Sequence, residues 1–153
     1  KAKLLRNQGM EIRYQNEVIG FNNRMTDIHA AIGRVQLKKL RERTTKRQKN
    51  AKFLSENLST VTVPTASSDA EHVYHQYTIT TDRREDLSEY LNEAEIGNGV
   101  YYPIPVHELP SFGKQIDLPN TKAAAKRALS IPVHPLLTSE ELNRIVEVMN
   151  KWH

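Results

Sequence analysis

The chain has 153 residues, of which 38% are hydrophobic, with no cysteine and a formal net charge of +4. This length and composition suit one compact domain with its own core, and the lack of cysteine excludes disulfides, thiolate metal sites and a cysteine nucleophile. No apolar run approaches the roughly 20 residues that cross a bilayer, and the N-terminal residues lack the apolar stretch of a secretory signal. We therefore expect a cytoplasmic protein.

The first half of the chain favours helix. KAKLLRNQGM begins without Met and has the composition of the middle of a helical region, so we expect the chain to be a fragment of a longer protein. From Thr26 to about Leu58 there is no Pro and only Gly33 is a weak point, which predicts one long helix, broken once. Thr26 or Asp27 can cap its start by accepting hydrogen bonds from free backbone N–H groups.

A charged residue interrupts the face that this helix should bury. Arg47 stands in the middle of the second apolar stripe, so its guanidinium should snorkel to solvent or meet a carboxylate. The small residues Ala30, Ala31 and Gly33 would let another backbone approach closely. The stripe consists of positions at helical spacing, namely Leu40, Thr44, Arg47, Ala51, Leu54 and Leu58.

The second half of the chain alternates between strand and helix patterns. Residues 72–81 and 97–105 have the period of strands, the latter ended by two prolines, and SIPV is a possible short strand. Short helices are expected at 87–94, at about 120–129 and after a capping box formed by Thr138 and Glu141. The predicted fold is α/β (α+β), with helices packed on a small sheet and one long N-terminal helix.

A polar, basic segment runs directly into the predicted start of the long helix. Asn22, Asn23 and Arg24 precede Thr26, and a helix start has spare N–H donors and the positive end of its dipole. An anion beside Arg24 would be stabilised there. Asn and Arg before a helix also commonly serve only as turn formers and caps, so this pattern alone leaves both interpretations open.

The six histidines do not form a metal-binding pattern. His72 and His75 are three residues apart within a predicted strand, so they should point to opposite faces, and we expect no metal site. His107 follows a proline-stiffened turn, where loops often present polar side chains to a ligand, although a surface histidine fits equally well. Tyr101 and Tyr102 should alternate, one in the core and one facing out.

The positive charge is concentrated in one stripe of the long helix. Eight Lys or Arg residues stand between Lys38 and Lys52 against the single acid Glu42. Such a stripe could attract a polyanion. Because aromatic residues are not interleaved with it, a solvated helix face is the simpler interpretation, and nucleic acid is not an expected partner.

Six segments occur in the order and spacing of one family: LLRNQGM, IGFNNRMTDIHAAIGRVQLKKL, RQKNAKFLSENL, HVYHQYTI, VYYPIPVH and LSIPVHPLLTSEEL. Over nearly all its length the chain resembles the C-terminal part of the DegT/DnrJ/EryC1/StrS sugar aminotransferases. The resemblance implies the small C-terminal domain of an aspartate-aminotransferase-type (fold type I) enzyme. Such enzymes depend on pyridoxal 5'-phosphate and work as homodimers with active sites at the subunit boundary.

The same resemblance implies a division of the chain and its site residues. Residues 1–20 would be the tail of the large cofactor domain with the crossover segment, and residues 21–153 the small domain. Asn22 and Arg24 match a segment that reaches the cofactor phosphate of the partner subunit. Tyr102 and His107 match a turn near the substrate entrance. The Schiff-base lysine lies upstream of the RNxG motif in relatives, so we expect no catalytic residue in this chain and no activity from it alone.

The implied reaction transfers an amino group, from glutamate, to a keto sugar linked to a nucleotide. Some members of the family dehydrate sugars instead, which leaves a dehydratase as one alternative. The chain departs from the family at Gln8, where histidine is common, and at Asn23, where tyrosine is common. Two further alternatives come from the residues themselves: a basic polyanion-binding module on the Lys38–Lys52 stripe, and a dimerisation module on the small residues of the long helix.

Overall fold

The computed structural model describes residues 1–112 and 116–153, and the fold of these residues mixes helices with a small sheet. The sheet has two antiparallel strands, in which Tyr77 stands opposite Ile131 and Thr80 opposite Ala128. A short 3₁₀ helix lies at Val106–Glu108. In chain order the elements are α1 (Ala2–Arg6), α2 (Asp27–Asn57), β1 (Tyr77–Thr80), α3 (Arg84–Glu93), α4 (Pro119–Arg127), β2 (Ala128–Ile131) and α5 (Ser139–Lys151).

The described residues form two compact units, Lys1–Arg41 and Glu42–His153. The division falls inside α2, which is a single helix of 31 residues. The helical character expected of the first residues is confirmed by α1. The division of the chain after residue 20 that the family resemblance implies concerns the whole enzyme and stays a prediction.

In the first unit, the chain after α1 folds back on itself through backbone hydrogen bonds. Gln8 N donates to Phe21 O at 2.8 Å, and Asn23 N donates to Arg6 O at 2.9 Å. The loop is closed by Gly9, whose φ of +75° is open to glycine at little cost. A Cβ atom at Gly9 would lie 1.7 Å from the carbonyl oxygen of Val18, so no other residue fits without moving the backbone.

The second unit has the hydrophobic core. One face of β1 and β2 packs with buried residues of α2, α3 and α5, because each of these helices places apolar side chains at helical spacing toward the sheet. Fully buried side chains include Leu54 from α2, Ile79 from β1 and Met149 from α5. The cluster comprises Ala51, Leu54, Leu58, Tyr77, Ile79, Leu87, Leu91, Ile96, Leu129, Ile131, Val133, Leu142, Ile145 and Met149.

The long helix agrees with the sequence prediction in its extent but not in its predicted break. α2 is continuous, and Thr26 caps it, since Thr26 Oγ1 accepts a hydrogen bond from His29 N at 3.3 Å. Burial begins only in its second half: Leu54 is fully buried whereas Leu40 is 55% exposed. A Cβ at Gly33 would meet no atom within 4 Å among the described residues, so the predicted close approach is not seen within this chain.

The strand predicted at 72–81 is shorter than expected. β1 begins only at Tyr77, because the carbonyl groups before it are bound by side chains of α2 rather than by a neighbouring strand. Arg47 Nη1 donates to His75 O at 3.3 Å and, more weakly, to Tyr74 O at 3.5 Å. Arg47 thus contacts backbone carbonyl groups and not the carboxylate that was one of its two expected outcomes. The prediction that His72 and His75 alternate on a strand is wrong.

The strand predicted at 97–105 is replaced by a single bridge. Gly99 and Ser130 exchange two backbone hydrogen bonds of 3.0 and 2.8 Å, and residues 101–105 then follow an irregular path. Tyr101 and Tyr102 are 53% and 75% exposed, so neither enters the core and the expected alternation is wrong. Without partner strands on both sides, nothing imposes a period of two on these residues.

The last elements follow the prediction with shifted boundaries. α4 ends at Arg127, because Ala128 already pairs with Thr80 as the first residue of β2. α3 forms where its apolar spacing predicts it. The capping box before α5 is confirmed: Thr138 Oγ1 accepts from Glu141 N at 3.2 Å, and Glu141 Oε2 accepts from Thr138 N at 2.7 Å.

Candidate functional site

Asn22 and Arg24 are brought together in the first unit. Asn22 is held by an antiparallel bridge to Asn7, which fixes its backbone against the end of α1. From this position Asn22 Oδ1 accepts a hydrogen bond from Arg24 Nε at 3.3 Å. This contact uses one edge of the guanidinium, and an arginine side chain has five N–H donors in all. Arg24 is thereby oriented while keeping donors for a ligand.

A basic pocket surrounds the Arg24 side chain. It has a volume of about 620 Å³, and four of its lining residues are basic whereas only Glu11 is acidic. Positive charge collected in a concave site attracts anions, and guanidinium and ammonium groups both bind phosphate oxygens. Asn22 serves the pocket as the hydrogen-bond acceptor of Arg24. The lining residues are Lys1, Lys3, Leu4, Arg6, Asn7, Met10, Glu11, Arg24 and Met25.

Two of these basic residues were not singled out from the sequence. Lys3 and Arg6 lie on α1, one helical turn apart, so they share a face of the helix. Only the fold-back of residues 21–24 along the end of α1 brings them to the same pocket as Arg24. The i, i+3 spacing of Lys3 and Arg6 can be seen in the sequence. Their proximity to Arg24 cannot, because it depends on the fold-back of the chain.

Tyr102 lies in an apolar setting in the second unit. Its ring is exposed and stands edge-on to the ring of Tyr101, with 6.0 Å between the ring centroids. Together with Pro103, Ile104, Val106 and Leu109 it lines an apolar pocket of about 370 Å³. An exposed aromatic ring above apolar side chains offers a surface on which a flat or partly apolar ligand can stack.

His107 follows the same turn but is much less accessible. It lies in the 3₁₀ helix, its side chain is only 11% exposed, and its Nε2 atom is buried. Glu108 Oε1 is 4.0 Å from this nitrogen, too far for a hydrogen bond, and no other described residue supplies a partner to Nε2. A buried polar atom without a partner is costly, so His107 Nε2 calls for a partner that the described residues do not supply.

The neighbouring acid is held by α4. Lys122 Nζ lies 3.2 Å from Glu108 Oε1 and 3.2 Å from Asp117 Oδ1. Its hydrogen bonds to Glu108 and then to Asp117 raise the pKa of Lys122 above its ordinary value. The pairs tie residues 108 and 117, on either side of the segment that the structure does not describe, to one helix. Glu108 is thereby committed to Lys122 rather than to His107.

Across 1–112 and 116–153, no group of three or more His, Asp or Glu side chains has the arrangement to hold a metal ion. In the same part of the chain, every helix is too short or too polar to span a bilayer.

Comparison with known proteins agrees with the fold. The sequence profile of the DegT/DnrJ/EryC1/StrS aminotransferase family matches residues 1–150. A pleiotropic regulatory protein of Geobacillus stearothermophilus is 35% identical over 100% of this chain and 44% of its own length. The UDP-N-acetyl-3-dehydro-alpha-D-glucosamine 3-aminotransferase of Acidithiobacillus ferrooxidans is 32% identical over 99% of this chain and 42% of its own length.

A solved structure gives the same result for the fold. DesV of S. venezuelae, crystallised in complex with a ketimine intermediate, superposes with a TM-score of 0.88 and 29% identity, over 98% of this chain and 42% of that one. The solved relatives are fold type I aminotransferases, and the chain spans less than half the length of the proteins it matches. With a profile that covers 150 of its 153 residues, this chain belongs to the DegT/DnrJ/EryC1/StrS aminotransferase family.

Proposed function

We propose that the protein containing this chain transfers an amino group from glutamate to a nucleotide-linked keto sugar, as a homodimer that uses pyridoxal 5'-phosphate. Membership of the family supports an aminotransferase, and its members depend on this cofactor. A relative that is named as the aminotransferase of a UDP-linked 3-dehydro sugar supports the class of substrate. The observation that carries the proposal within this chain is the basic pocket around Arg24.

The phosphate of the cofactor fits this pocket. A phosphate ester carries close to two negative charges near neutral pH, and Arg24, Lys3 and Arg6 surround one cavity. We assign Arg24 as the main phosphate ligand, because its guanidinium is oriented by Asn22 and can present a fork of N–H groups to two oxygens. In the dimer the phosphate would be that of the partner subunit's cofactor, with Asn22 beside it.

When bound, pyridoxal phosphate supplies the electron sink that makes amino-group transfer possible. The residues of this chain then have binding and orienting roles. Arg24 neutralises phosphate charge and fixes one end of the cofactor, while Asn22 keeps the guanidinium from rotating away. The side chains of Met10 and Met25 add apolar surface to the lining of the same pocket.

We assign Tyr102 and His107 to the substrate side. The exposed ring of Tyr102 and its apolar pocket suit stacking against a sugar or base face. The buried Nε2 of His107 needs a hydrogen-bond partner, and a hydroxyl or carbonyl oxygen of the sugar would supply one. Whether Nε2 or Nδ1 of His107 carries the proton depends on whether the partner of Nε2 accepts or donates the hydrogen bond.

The chain is proposed to be part of a composite site. Residues 1–20 would form the tail of the large domain with the crossover, and residues 21–153 the small domain. The lysine that forms the Schiff base would come from the large domain, so we expect the isolated chain to have no transaminase activity. Measurable turnover by the purified 153-residue chain would contradict this assignment.

The test of the function is a visible absorption spectrum of a version extended upstream through the large domain, recorded before and after glutamate is added. Formation of a cofactor band that shifts on addition of glutamate would establish a transaminase. A band that forms and does not respond would favour the dehydratase alternative or another amino donor. Absence of any band in a folded protein would contradict the cofactor assignment.

The alternative of a basic polyanion-binding module receives less support from the side chains of α2. Lys46 Nζ lies 2.8 Å from Glu42, and Lys52 Nζ lies 3.8 Å from Glu56. Arg47 is turned toward backbone carbonyl groups. The two lysines are thus paired with acids of the same helix, which lowers the positive field that a polyanion would meet.

A further inference from the structure

We propose that a second cavity, formed entirely within the second unit, binds a phosphate-type oxyanion of the size of a diphosphate. Its volume is about 490 Å³, within the range of small-molecule sites. None of the described residues that line it carries a carboxylate. The lining consists of Arg47, His75, Gln76, Gly97, Asn98, Gly99, Tyr101, Ser130, Ile131, Pro132, Val133 and His134.

The polar groups of the cavity are mostly hydrogen-bond donors. Arg47 carries a permanent positive charge, and each imidazole of His75 and His134 has at least one N–H donor in either charge state. The hydroxyl of Tyr101 and the amide of Gln76 add further donors. A site with several convergent donors, a fixed cation and no anion is complementary to an oxyanion and repels a cation.

Acids do lie outside this lining, and they are committed elsewhere or line another space. Glu71 accepts a hydrogen bond from Gln48 Nε2 at 3.3 Å. His134 also lines a neighbouring cavity that contains Glu95 and Glu141, but the Glu141 carboxylate caps α5. The acids near His134 therefore line a different cavity from the one proposed here.

Hydrogen bonds from α2 hold both histidine segments in place. Arg47 Nη1 donates to His75 O at 3.3 Å, and Asn50 Nδ2, on a buried side chain, donates to His134 O at 3.0 Å. The first contact occupies one edge of the Arg47 guanidinium and leaves its other N–H groups for a ligand. Two recognition groups are thus positioned before any ligand arrives, which lowers the entropy that binding must offset.

The turn at residues 97–99 forms another part of the lining. Asn98 accepts from Ser88 Oγ at 2.7 Å and donates through Nδ2 to Asn92 Oδ1 at 2.9 Å, which fixes the turn to α3. The two hydrogen bonds between Gly99 and Ser130 fix it to β2. A Cβ at Gly99 would lie 2.7 Å from the hydroxyl of Tyr101. Any larger residue at this position would therefore displace the Tyr101 ring, which also lines the cavity.

This inference does not rest on the proposed transaminase. The residues of the cavity belong to the second unit, whereas the pocket of Arg24 belongs to the first. The shared chemistry of the ligand is the diphosphate group, which exists both as free pyrophosphate and as part of a nucleoside diphosphate. These two sources can be compared directly by titration.

The test uses ¹H–¹³C NMR of the histidine imidazoles in the 153-residue chain, titrated with inorganic pyrophosphate and, in a second arm, with uridine diphosphate at matched ionic strength. The proposal expects saturable shifts at His75 and His134, while His153 acts as an internal reference. A lower Kd for uridine diphosphate would identify a nucleotide site, and equal Kd values a diphosphate site. Sodium chloride alone should cause no saturable shift.

Substitutions test whether this cavity is the place where the diphosphate binds. Arg47→Gln should weaken binding by about tenfold or more, because a charge-assisted hydrogen bond is lost. Gln76→Glu places a carboxylate at the cavity while the Arg47 contacts remain, and it should weaken binding to a similar degree. Lys49→Gln removes a charge from the same helix outside the cavity, and Arg24→Gln removes one from the first unit; neither should change the Kd.

Three results would overturn the proposal. One is the absence of saturable shifts at His75 and His134. Another is an equal response of His153. The third is an effect of Gln76→Glu no larger than that of Lys49→Gln, which decides the matter even if Arg47→Gln fails to fold.

Discussion

Arg24 Nε donates to Asn22 Oδ1 across one intervening residue, with 3.3 Å between the two atoms. Both residues are exposed, so the contact itself adds little to stability. Its consequence is geometric: the guanidinium is held at the edge of a pocket whose other charged residues are mostly basic. For the two residues that the family resemblance assigns to the cofactor phosphate, we therefore propose different roles: Asn22 orients Arg24, and Arg24 binds the phosphate.

The first prediction concerns the charge of Arg24. In the upstream-extended protein, Arg24→Gln should lower the affinity for pyridoxal phosphate by about tenfold to a hundredfold, the value of a hydrogen-bonded charge pair. Equilibrium dialysis with the free cofactor would measure the change. Arg13→Gln is the matched control, since Arg13 lies in the same unit, stacks on Tyr14 and does not line the pocket. Equal losses in both variants would refute a local role.

Asn22 should matter less than Arg24. Asn22→Ala removes the acceptor but leaves the positive charge in the pocket, so we expect a loss of affinity for the cofactor of about 1 kcal/mol or less. The double variant with Arg24→Gln should then be no weaker than Arg24→Gln alone, because the oriented group is already gone. Fully additive losses would show that Asn22 binds the phosphate independently of Arg24.

Burial separates two leucines of the same helix. Leu54 is fully buried and Leu40 is 55% exposed. Leu54→Ala should lower the free energy of unfolding by about 2–5 kcal/mol through lost burial and the cavity left behind. Leu40→Ala should change it by about 0.5 kcal/mol or less. Urea unfolding followed by circular dichroism compares them, and similar midpoints for both variants would contradict the observed core.

Much of this fold could be predicted because it depends on contacts between neighbours in sequence. The capping box of Thr138 and Glu141, the cap at Thr26 and the apolar spacing of α3 are all decided within a few residues. The strands are harder to predict from the sequence than these helices and caps. Residues 72–76 have the alternating pattern of a strand, but the Arg47 side chain of α2 binds carbonyl groups in this segment. These contacts join residues 27 or 28 positions apart, and a local sequence pattern does not predict them.

The candidate site also has a part that the sequence predicts and a part that only the fold reveals. Asn22 and Arg24 are adjacent in sequence and precede a capped helix, so their contact follows from local order. Lys3 and Arg6 reach that pocket only through the fold-back of the chain, which a pattern of residues does not reveal. The pattern around His107 fits a ligand-facing or a surface histidine equally well, whereas the isolation of its Nε2 depends on Lys122 of α4 holding Glu108.

A pH dependence follows from the cap of α5. Hydrogen bonds from the backbone N–H of Thr138 and then from its side chain lower the pKa of Glu141 below its ordinary value of 4.5. The charged carboxylate is favoured in the folded state, so its stabilisation is present above pH 4.5 and is lost as the pH falls through the folded-state pKa. Glu141→Gln should therefore be less stable than the parent near neutral pH, and the difference should shrink in acid.

Urea unfolding of both proteins from about pH 6 to about pH 3 measures this difference. Glu140→Gln is the control, because Glu140 lies beside Glu141 in the first turn of α5 and the capping box uses Glu141. Its difference from the parent should change less with pH. A gap for Glu141→Gln that stays constant in acid would mean that the cap does not depend on the charge.

The last prediction compares two glycines. At Gly9 a Cβ would lie 1.7 Å from Val18 O, and φ is +75°, so Gly9→Ala must displace backbone in the loop that places Asn22 and Arg24. We expect a cost of at least about 3 kcal/mol and loss of phosphate binding at the Arg24 pocket. At Gly33 a Cβ would meet no described atom within 4 Å, so Gly33→Ala should stabilise α2 by about 0.5–1 kcal/mol.

Amide hydrogen exchange at Gln8 and Phe21 reports on this loop directly, because Gln8 N donates to Phe21 O and Phe21 N donates to Leu5 O. Protection at both amides should fall in Gly9→Ala and remain unchanged in Gly33→Ala. If Gly9→Ala kept the protection and the affinity for phosphate, the loop would tolerate a side chain at this position. The close approach of Gly9 to Val18 would then not be what holds Arg24 in its pocket.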